Sequence, residues 1–467
     1  MDKVKFLSEE AEKNFEEVCK NKYRLKFHLM PLVGGLCDPN AMLYHKGEYH
    51  FHYIYSPSDF YKKKVANVWG HYKTKDFINY EILPISIYPS IEKDRDGIYS
   101  GSAIIEDNKN IIFYTGNVKQ KGNFDYIYEG REQNIIKIES LDGIKFDVQT
   151  KKVLLTNEDF PKNLTKHVRD PKVFKIDKEF FMLLGARDNK NKGLILLYKS
   201  KNLENWELVN QIYDNIMGSY MLECPDIQFY ESTYLIFCPQ RFENDDFLNR
   251  HLCGYSKISD LKNTKEIKEF IPFDYGFDFY AARTLKDEKN RTILIGWMGV
   301  SEAPHTEIDE TVGWHHAMTL PRELIEKEGK LLQKPLEEYK KLRLNKKEYF
   351  IENILELDIL TYEMIMRNRN QSFEIFFKES AILKYFNGEL SLRFLEGKRD
   401  IRKVCLNKLE KLQIFVDKCS IEIFINDGIM TMTTYIFSDI DKLRIKGKNL
   451  EVEFYEMGEF KYLDRRY

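Results

Sequence analysis

From about residue 25 to 325, short apolar and aromatic runs alternate with Gly, Asn, Asp and Lys turns. Runs of this length and spacing predict an all-β architecture rather than helices. The pattern repeats weakly. Asp38, Ser100, Asp170 and Glu223 each precede a β-like run, a polar turn and a second run. Eleven residues after each lie Tyr49, Ile111, Phe181 and Tyr234, all within that second run. Tyr280 opens a fifth unit, which reaches Arg291 just before the run Thr292-Ile293-Leu294-Ile295. Starts recurring about every 60 residues exceed a single hairpin and suit four-stranded propeller blades. Five blades set radially would gather the starts of their first strands around one central pocket.

Around residues 325 to 345 the texture changes. Pro335-Leu336-Glu337-Glu338-Tyr339 predicts a short helix with Pro in its first turn. Alternation then returns, as in Phe373 to Phe377 and Ile421 to Ile425, and Asn426-Asp427-Gly428 signals a hairpin turn before Met430 to Ile436. A smaller β-sandwich is expected there. At the other end, Ser8 is the expected N-cap of a charged helix running to about Lys22, with acids in its first turn. The expected organisation is a helical extension over 1–24, a five-bladed β-propeller over 25–330, a linker with a short helix over 331–345, and a C-terminal β-sandwich over 346–467.

Composition narrows the partners. Aromatics reach 14%, which favours strands and stacked binding surfaces. A net charge of −2 gives no bulk electrostatic case for nucleic acid or an anionic membrane. Seven cysteines without a Cys-x-x-Cys pair do not make a disulfide framework and fit a reducing cytosol. The N-terminus lacks an apolar signal-peptide core, and no run of 18 apolar residues occurs, so a cytoplasmic location is expected. Nothing in the sequence sets an oligomeric state.

Chemistry enters through acids beside prolines. Cys37-Asp38-Pro39-Asn40, Arg169-Asp170-Pro171 and Glu223-Cys224-Pro225-Asp226 each place a carboxylate at a proposed blade start. Singly, Asp-Pro is ordinary turn chemistry. In register with a blade repeat, three of them become candidates for the two-carboxylate cleavage of a glycosidic bond, in which one acid attacks and the other, kept protonated by burial or a neighbouring negative charge, donates to the leaving oxygen. His50-x-His52 and His315-His316 lack further ligands at metal-site spacing. No Gly-rich phosphate loop or dinucleotide fingerprint is present, and carboxylate catalysis needs no cofactor.

The motifs, in order, resemble those of glycoside hydrolase family 32, the invertases and sucrose-6-phosphate hydrolases. They run from Gly34-Gly35-Leu36-Cys37-Asp38-Pro39-Asn40 through Trp69-Gly70-His71, Tyr99-Ser100-Gly101-Ser102 and Arg169-Asp170-Pro171. Glu223-Cys224-Pro225-Asp226, Tyr280-Ala281-Ala282, Ile295-Gly296-Trp297-Met298 and Thr319-Leu320-Pro321-Arg322 follow. The resemblance implies that Asp38 is the nucleophile of a retaining reaction and Glu223 its acid/base. It implies that Asp170, with Arg169 beside it, holds sugar hydroxyls and stabilises charge. Asn40, Trp69, Tyr99, Ser100 and Trp297 match positions that line the substrate pocket. Four positions depart from the family's pattern. Cys37 stands for an Asn beside the nucleophile, Ile54 for a pocket-facing Gln, Arg283 for a Gln and Ala41 for a turn Gly. The implied substrate is a small sugar carrying a terminal β-fructofuranosyl group, sucrose or sucrose 6-phosphate. Fructan hydrolysis or fructosyl transfer is the alternative within the same chemistry, and a propeller that binds sugar without cleaving it is the alternative outside it.

Overall fold

The computed structural model describes residues 2–466 except 64, 128, 242–250, 300–311, 370, 397, 398 and 400. It is a β-propeller followed by a β-sandwich. Among the described residues the propeller comprises five antiparallel-cored sheets, whose first strands are Gly34–His45, Ile98–Glu106, Leu164–Ile176, Ser219–Phe229 and Tyr280–Lys286. These strands carry the five repeat markers Asp38, Ser100, Asp170, Glu223 and Tyr280. The second strands, Glu48–Ser56, Lys109–Lys119, Glu179–Asp188, Thr233–Arg241 and Thr292–Met298, each pair antiparallel with the first of their sheet.

Second strands such as Glu179–Asp188 are buried along nearly their whole length, because each sheet is covered on both faces by its neighbours. That is why their sequences read as continuous apolar runs. Ring closure uses the chain beyond the fifth sheet: Trp314–His315 pairs parallel to Gly34–Gly35 of the first strand. At the far edge of the first sheet, Lys461–Asp464 pairs parallel to Asn79–Ile82, so the C-terminal segment returns to the propeller.

The sandwich consists of two six-stranded sheets. Its strands alternate, as in Phe373–Phe377, where Phe373, Ile375 and Phe377 are buried and the residues between them are half-buried. The two domains share a buried polar joint. Arg322 donates to Glu422 Oε2 from Nε (3.1 Å) and Nη2 (2.5 Å), and Nη1 reaches Asp274 Oδ2 at 3.3 Å. His28 lies between Asp417 Oδ2 (2.9 Å) and Glu422 Oε1 (3.0 Å). Burial opposes a charge on His28, but the hydrogen bonds to these two carboxylates prevail and push it up to about 9.

Two boundaries differ from the sequence reading. Ser8 is not an N-cap: the helix spans Asp2–Glu12, and Ser8 is buried on the same face as Val4 and Ala11, at helical spacing. Pro335 does not start a helix but ends the edge strand Lys330–Pro335, where its missing N–H costs no ladder bond. The short helix is a 3₁₀ turn over Glu337–Leu342. Asn426-Asp427-Gly428 does make the turn between Ser420–Ile425 and Met430–Tyr435. No helix among the described residues is long and apolar enough to cross a membrane.

Candidate active site

Every first strand of the propeller breaks its ladder at the residue marked by the repeat. Register shifts fall between Leu36 and Pro39, Tyr99 and Gly101, Glu223 and Asp226, and Tyr280 and Arg283, and the ladder between Arg169 and Lys172 skips Asp170. Such bulges bend a strand and re-aim a side chain. They also explain the recurring prolines. Pro39, Pro171 and Pro225 sit at or inside the break, where the ladder asks little of an N–H. The backbone there is strained: Asp170 (φ +65°), Cys224 (+50°), Ala281 (+48°) and Ala41 (+39°) all occupy the left-handed region.

The bulges deliver Asp38, Asp170 and Glu223 to one cavity of about 330 Å³, which Cys37, Ile54, Tyr99, Ser100, Arg169, Tyr280 and Trp297 also line. Asp38 Oδ2 accepts the Ser100 hydroxyl, and the Cys224 thiol lies 3.7 Å from the same oxygen. Asp170 Oδ2 accepts the Cys224 backbone N–H at 3.0 Å, and its own N–H donates to Thr115 Oγ1 at 2.8 Å. Glu223 is held from both sides. Arg169 donates to Oε1 from Nε (2.9 Å) and Nη2 (2.5 Å), and the Tyr280 hydroxyl donates to Oε2 at 2.8 Å. Arg169 Nη1 is braced by Gln133 Oε1 at 3.2 Å.

Three carboxylates gathered in one cavity cannot all ionise freely. Burial, with the charges of Asp170 and Glu223, pushes Asp38 up to about 6 even though the Ser100 hydrogen bond favours its charge. Burial also raises Asp170. Glu223 goes the other way: burial would raise it, but the charge and hydrogen bonds of Arg169, aided by Tyr280, hold it below the usual carboxylate range. This corrects the expectation that the acid/base is the carboxylate kept protonated at rest. The Arg169 guanidinium, whose direction no sequence pattern reveals, decides the order.

The remaining candidates divide. Cys37, Ile54, Tyr99, Ser100, Arg169 and Trp297 reach the cavity; Asn40, Trp69 and Arg283 stand behind its wall. Asn40, fully buried, donates to the Asp38 carbonyl and accepts the Gly101 N–H, each at 2.8 Å, tying the first bulge to the second sheet. Trp69 is fully buried in an apolar cluster with Ile87, Ile98 and Tyr114, across the ladder from Ile54, and so is a core residue here and not a sugar wall. Arg283 donates to the Pro225 carbonyl at 2.6 Å, and its charge acts on Asp38 and Asp170 from below. Tyr280, Gln240, His167, Arg131 and Arg187 line the cavity without having been singled out as site residues. For Tyr280 the signal was its place in the repeat; the others carry none.

The histidines of the first sheet pack against one another. His50 Nδ1 and His71 Nε2 are 3.0 Å apart, His52 stacks on His71 at 3.9 Å, and burial pushes His50 down to about 4 and His52 to about 3. Among the described residues no group of three or more His, Cys, Asp or Glu side chains could hold a metal ion.

Comparison with known proteins agrees with this geometry. The model of the glycosyl hydrolases family 32 N-terminal domain matches residues 28–335, and that of the family's C-terminal domain matches 360–463. The chain is 35% identical over 456 residues to a sucrose-6-phosphate hydrolase of Bacillus subtilis, covering 92% of each. It is 31% identical over 449 residues to a raffinose invertase of Escherichia coli, covering 90% of each. Among solved structures, a sucrose-6-phosphate hydrolase from Lactobacillus gasseri superposes with a TM-score of 0.84 at 25% identity, covering 96% of both chains. A mutant of a Bombyx mori GH32 beta-fructofuranosidase in complex with sucrose gives 0.83 at 27% identity, covering 99% of both.

Proposed function

The chain belongs to glycosyl hydrolase family 32, and on that footing we propose that it releases the terminal β-fructofuranosyl group of sucrose or sucrose 6-phosphate by double displacement. The observation that carries this reading is the convergence of Asp38, Asp170 and Glu223, from three separate sheets, on one cavity.

In the first step the Asp38 carboxylate attacks the anomeric carbon of the fructosyl group, and the bond to the leaving oxygen breaks as Glu223 gives that oxygen a proton. Asp170 accepts fructosyl hydroxyls, and these hydrogen bonds strengthen as positive charge develops on the ring. In the second step Glu223 takes a proton from water, the hydroxide attacks the ester, and Asp38 leaves as a carboxylate.

The resting grip of Arg169 suits the second step. With Asp38 consumed as an ester, one negative charge is gone, and the guanidinium holds Glu223 ionised as a base. For the first step a proton must reside on Glu223, so an incoming leaving-group oxygen has to displace Arg169 from its carboxylate. A cytoplasmic location is supported by seven free cysteines.

The purified chain, assayed with sucrose, sucrose 6-phosphate and a short fructan for released hexose, tests the proposal. Turnover of the two disaccharides that is abolished in Asp38→Asn supports it. Binding of these sugars without turnover by the intact chain would instead favour a sugar-binding propeller, and preference for the fructan would reassign the substrate.

A further inference from the structure

Arg131 lines the cavity from the second sheet and takes no part in holding the three carboxylates. Glu223 is engaged by Arg169, and Asp170 and Asp38 feel the charge of Arg283. A neutral disaccharide has no need of a further guanidinium group, and placing one at its binding site carries a desolvation cost that a negative partner should offset.

Arg131 opens the strand Arg131–Ser140. Its Nη1 donates to the Tyr99 hydroxyl at 3.2 Å, and its guanidinium lies 5.6 Å from the Tyr99 ring centroid. Its Nε is buried with no hydrogen-bond partner among the described residues. The adjacent carboxylate, Glu132, is taken by Lys93. Tyr99 immediately precedes Ser100, whose hydroxyl binds Asp38, so Arg131 is fixed one side chain away from the nucleophile's own support.

We propose that Arg131, held by Tyr99, binds a phosphate carried by the leaving sugar and so selects the phosphorylated disaccharide. The assignment rests on the reading of Asp38 and Glu223 as the reacting pair. A guanidinium fork offers two parallel donors to phosphate oxygens, which a neutral hydroxymethyl group cannot match.

The test compares kcat/KM for sucrose 6-phosphate and for sucrose in the intact chain and in Arg131→Gln. The ratio should fall about 10- to 100-fold, the value of one charge-assisted hydrogen-bonded pair. An unchanged ratio overturns the proposal. Calorimetry with glucose 6-phosphate, glucose and inorganic phosphate gives a readout that needs no turnover. Glucose 6-phosphate should bind more tightly than glucose to the intact chain, and R131Q should remove the difference. If inorganic phosphate binds as well as glucose 6-phosphate and R131Q weakens both alike, the site is a free-anion site and the leaving-group assignment fails. If no sugar is turned over but glucose 6-phosphate still binds through Arg131, the subsite stands and the proposed reaction does not.

Discussion

Asp38→Asn should stabilise the protein while abolishing its activity. The substitution is nearly isosteric and keeps an acceptor for the Ser100 hydroxyl, so it changes charge more than shape. In the folded protein, burial and the neighbouring Asp170 and Glu223 raise Asp38 from 3.8 to about 6. At 1.36 kcal/mol per pH unit, holding this carboxylate ionised costs the fold about 3 kcal/mol. The sign follows from the proton count. Between pH 3.8 and about 6 the folded chain binds the proton and the unfolded chain has released it, so stability falls as pH rises through that window. Below it both states are protonated and the cost disappears; above it the full cost is present. Asparagine never pays it. Thermal unfolding of both proteins from pH 4 to 8 should therefore show similar midpoints near pH 4. The variant should then gain a lead that grows to about 6 °C by pH 7, taking about 2 °C per kcal/mol for a large domain. A variant that melts below the parent at pH 7, or a difference that ignores pH, would refute the account of Asp38 as a buried charge kept for function against stability.

The same titration should shape catalysis. The reacting form needs Asp38 ionised and Glu223 protonated, the reverse of their resting order, so kcat/KM should be level just below about 6 and fall about tenfold per pH unit above it; a profile that keeps rising through pH 6 to 7 contradicts this. Tyr280→Phe removes a hydrogen bond that helps keep Glu223 ionised, so the pKa of Glu223 should rise and the acid limb of the profile should move to higher pH. A cost of about tenfold in kcat/KM is expected from losing one donor to a charged group. Gly428→Ala should destabilise the chain by about 3 kcal/mol or more, measured by denaturant unfolding. Gly428 has φ +89°, and a Cβ there would lie 1.7 Å from the Gln333 carbonyl oxygen, backbone against backbone where the sandwich turn meets the propeller.

Much of the fold is legible in the sequence because two periodicities survive in it. Continuous apolar runs mark strands covered on both faces, and acid–proline steps mark the bulges that interrupt the first strands. Both are local consequences of the same architecture, so a reader of residues can find them without knowing which sheets touch. What convergence alone creates is not legible. Trp69 and Trp297 are both tryptophans in family-like motifs, yet one is sealed in the core and the other faces the cavity, because their strands hold different positions relative to the central axis. The relative acidity of Asp38 and Glu223 depends on where the Arg169 guanidinium points, and Arg131 lies in no motif at all. Boundaries fail for a related reason: Pro335 reads as a helix start until the edge strand that tolerates it is seen.

The two departures beside the nucleophile are better understood as one change. Cys37 and Ile54 both line the cavity and both pack on the apolar cluster of Ala41, Trp69 and Ile87. With a thiol and an isoleucine in place of two amides, this corner offers no strong hydrogen-bond donor or acceptor. The consequence falls on the substrate. A fructosyl hydroxyl directed at this corner meets a thiol and an isoleucine, and the binding energy missing there must come from elsewhere along the sugar. The phosphate contact that we propose for Arg131 can supply it. If so, restoring Asn at 37 and Gln at 54 together should narrow the gap between sucrose 6-phosphate and sucrose by raising kcat/KM for sucrose, and either single replacement should do less than half of it.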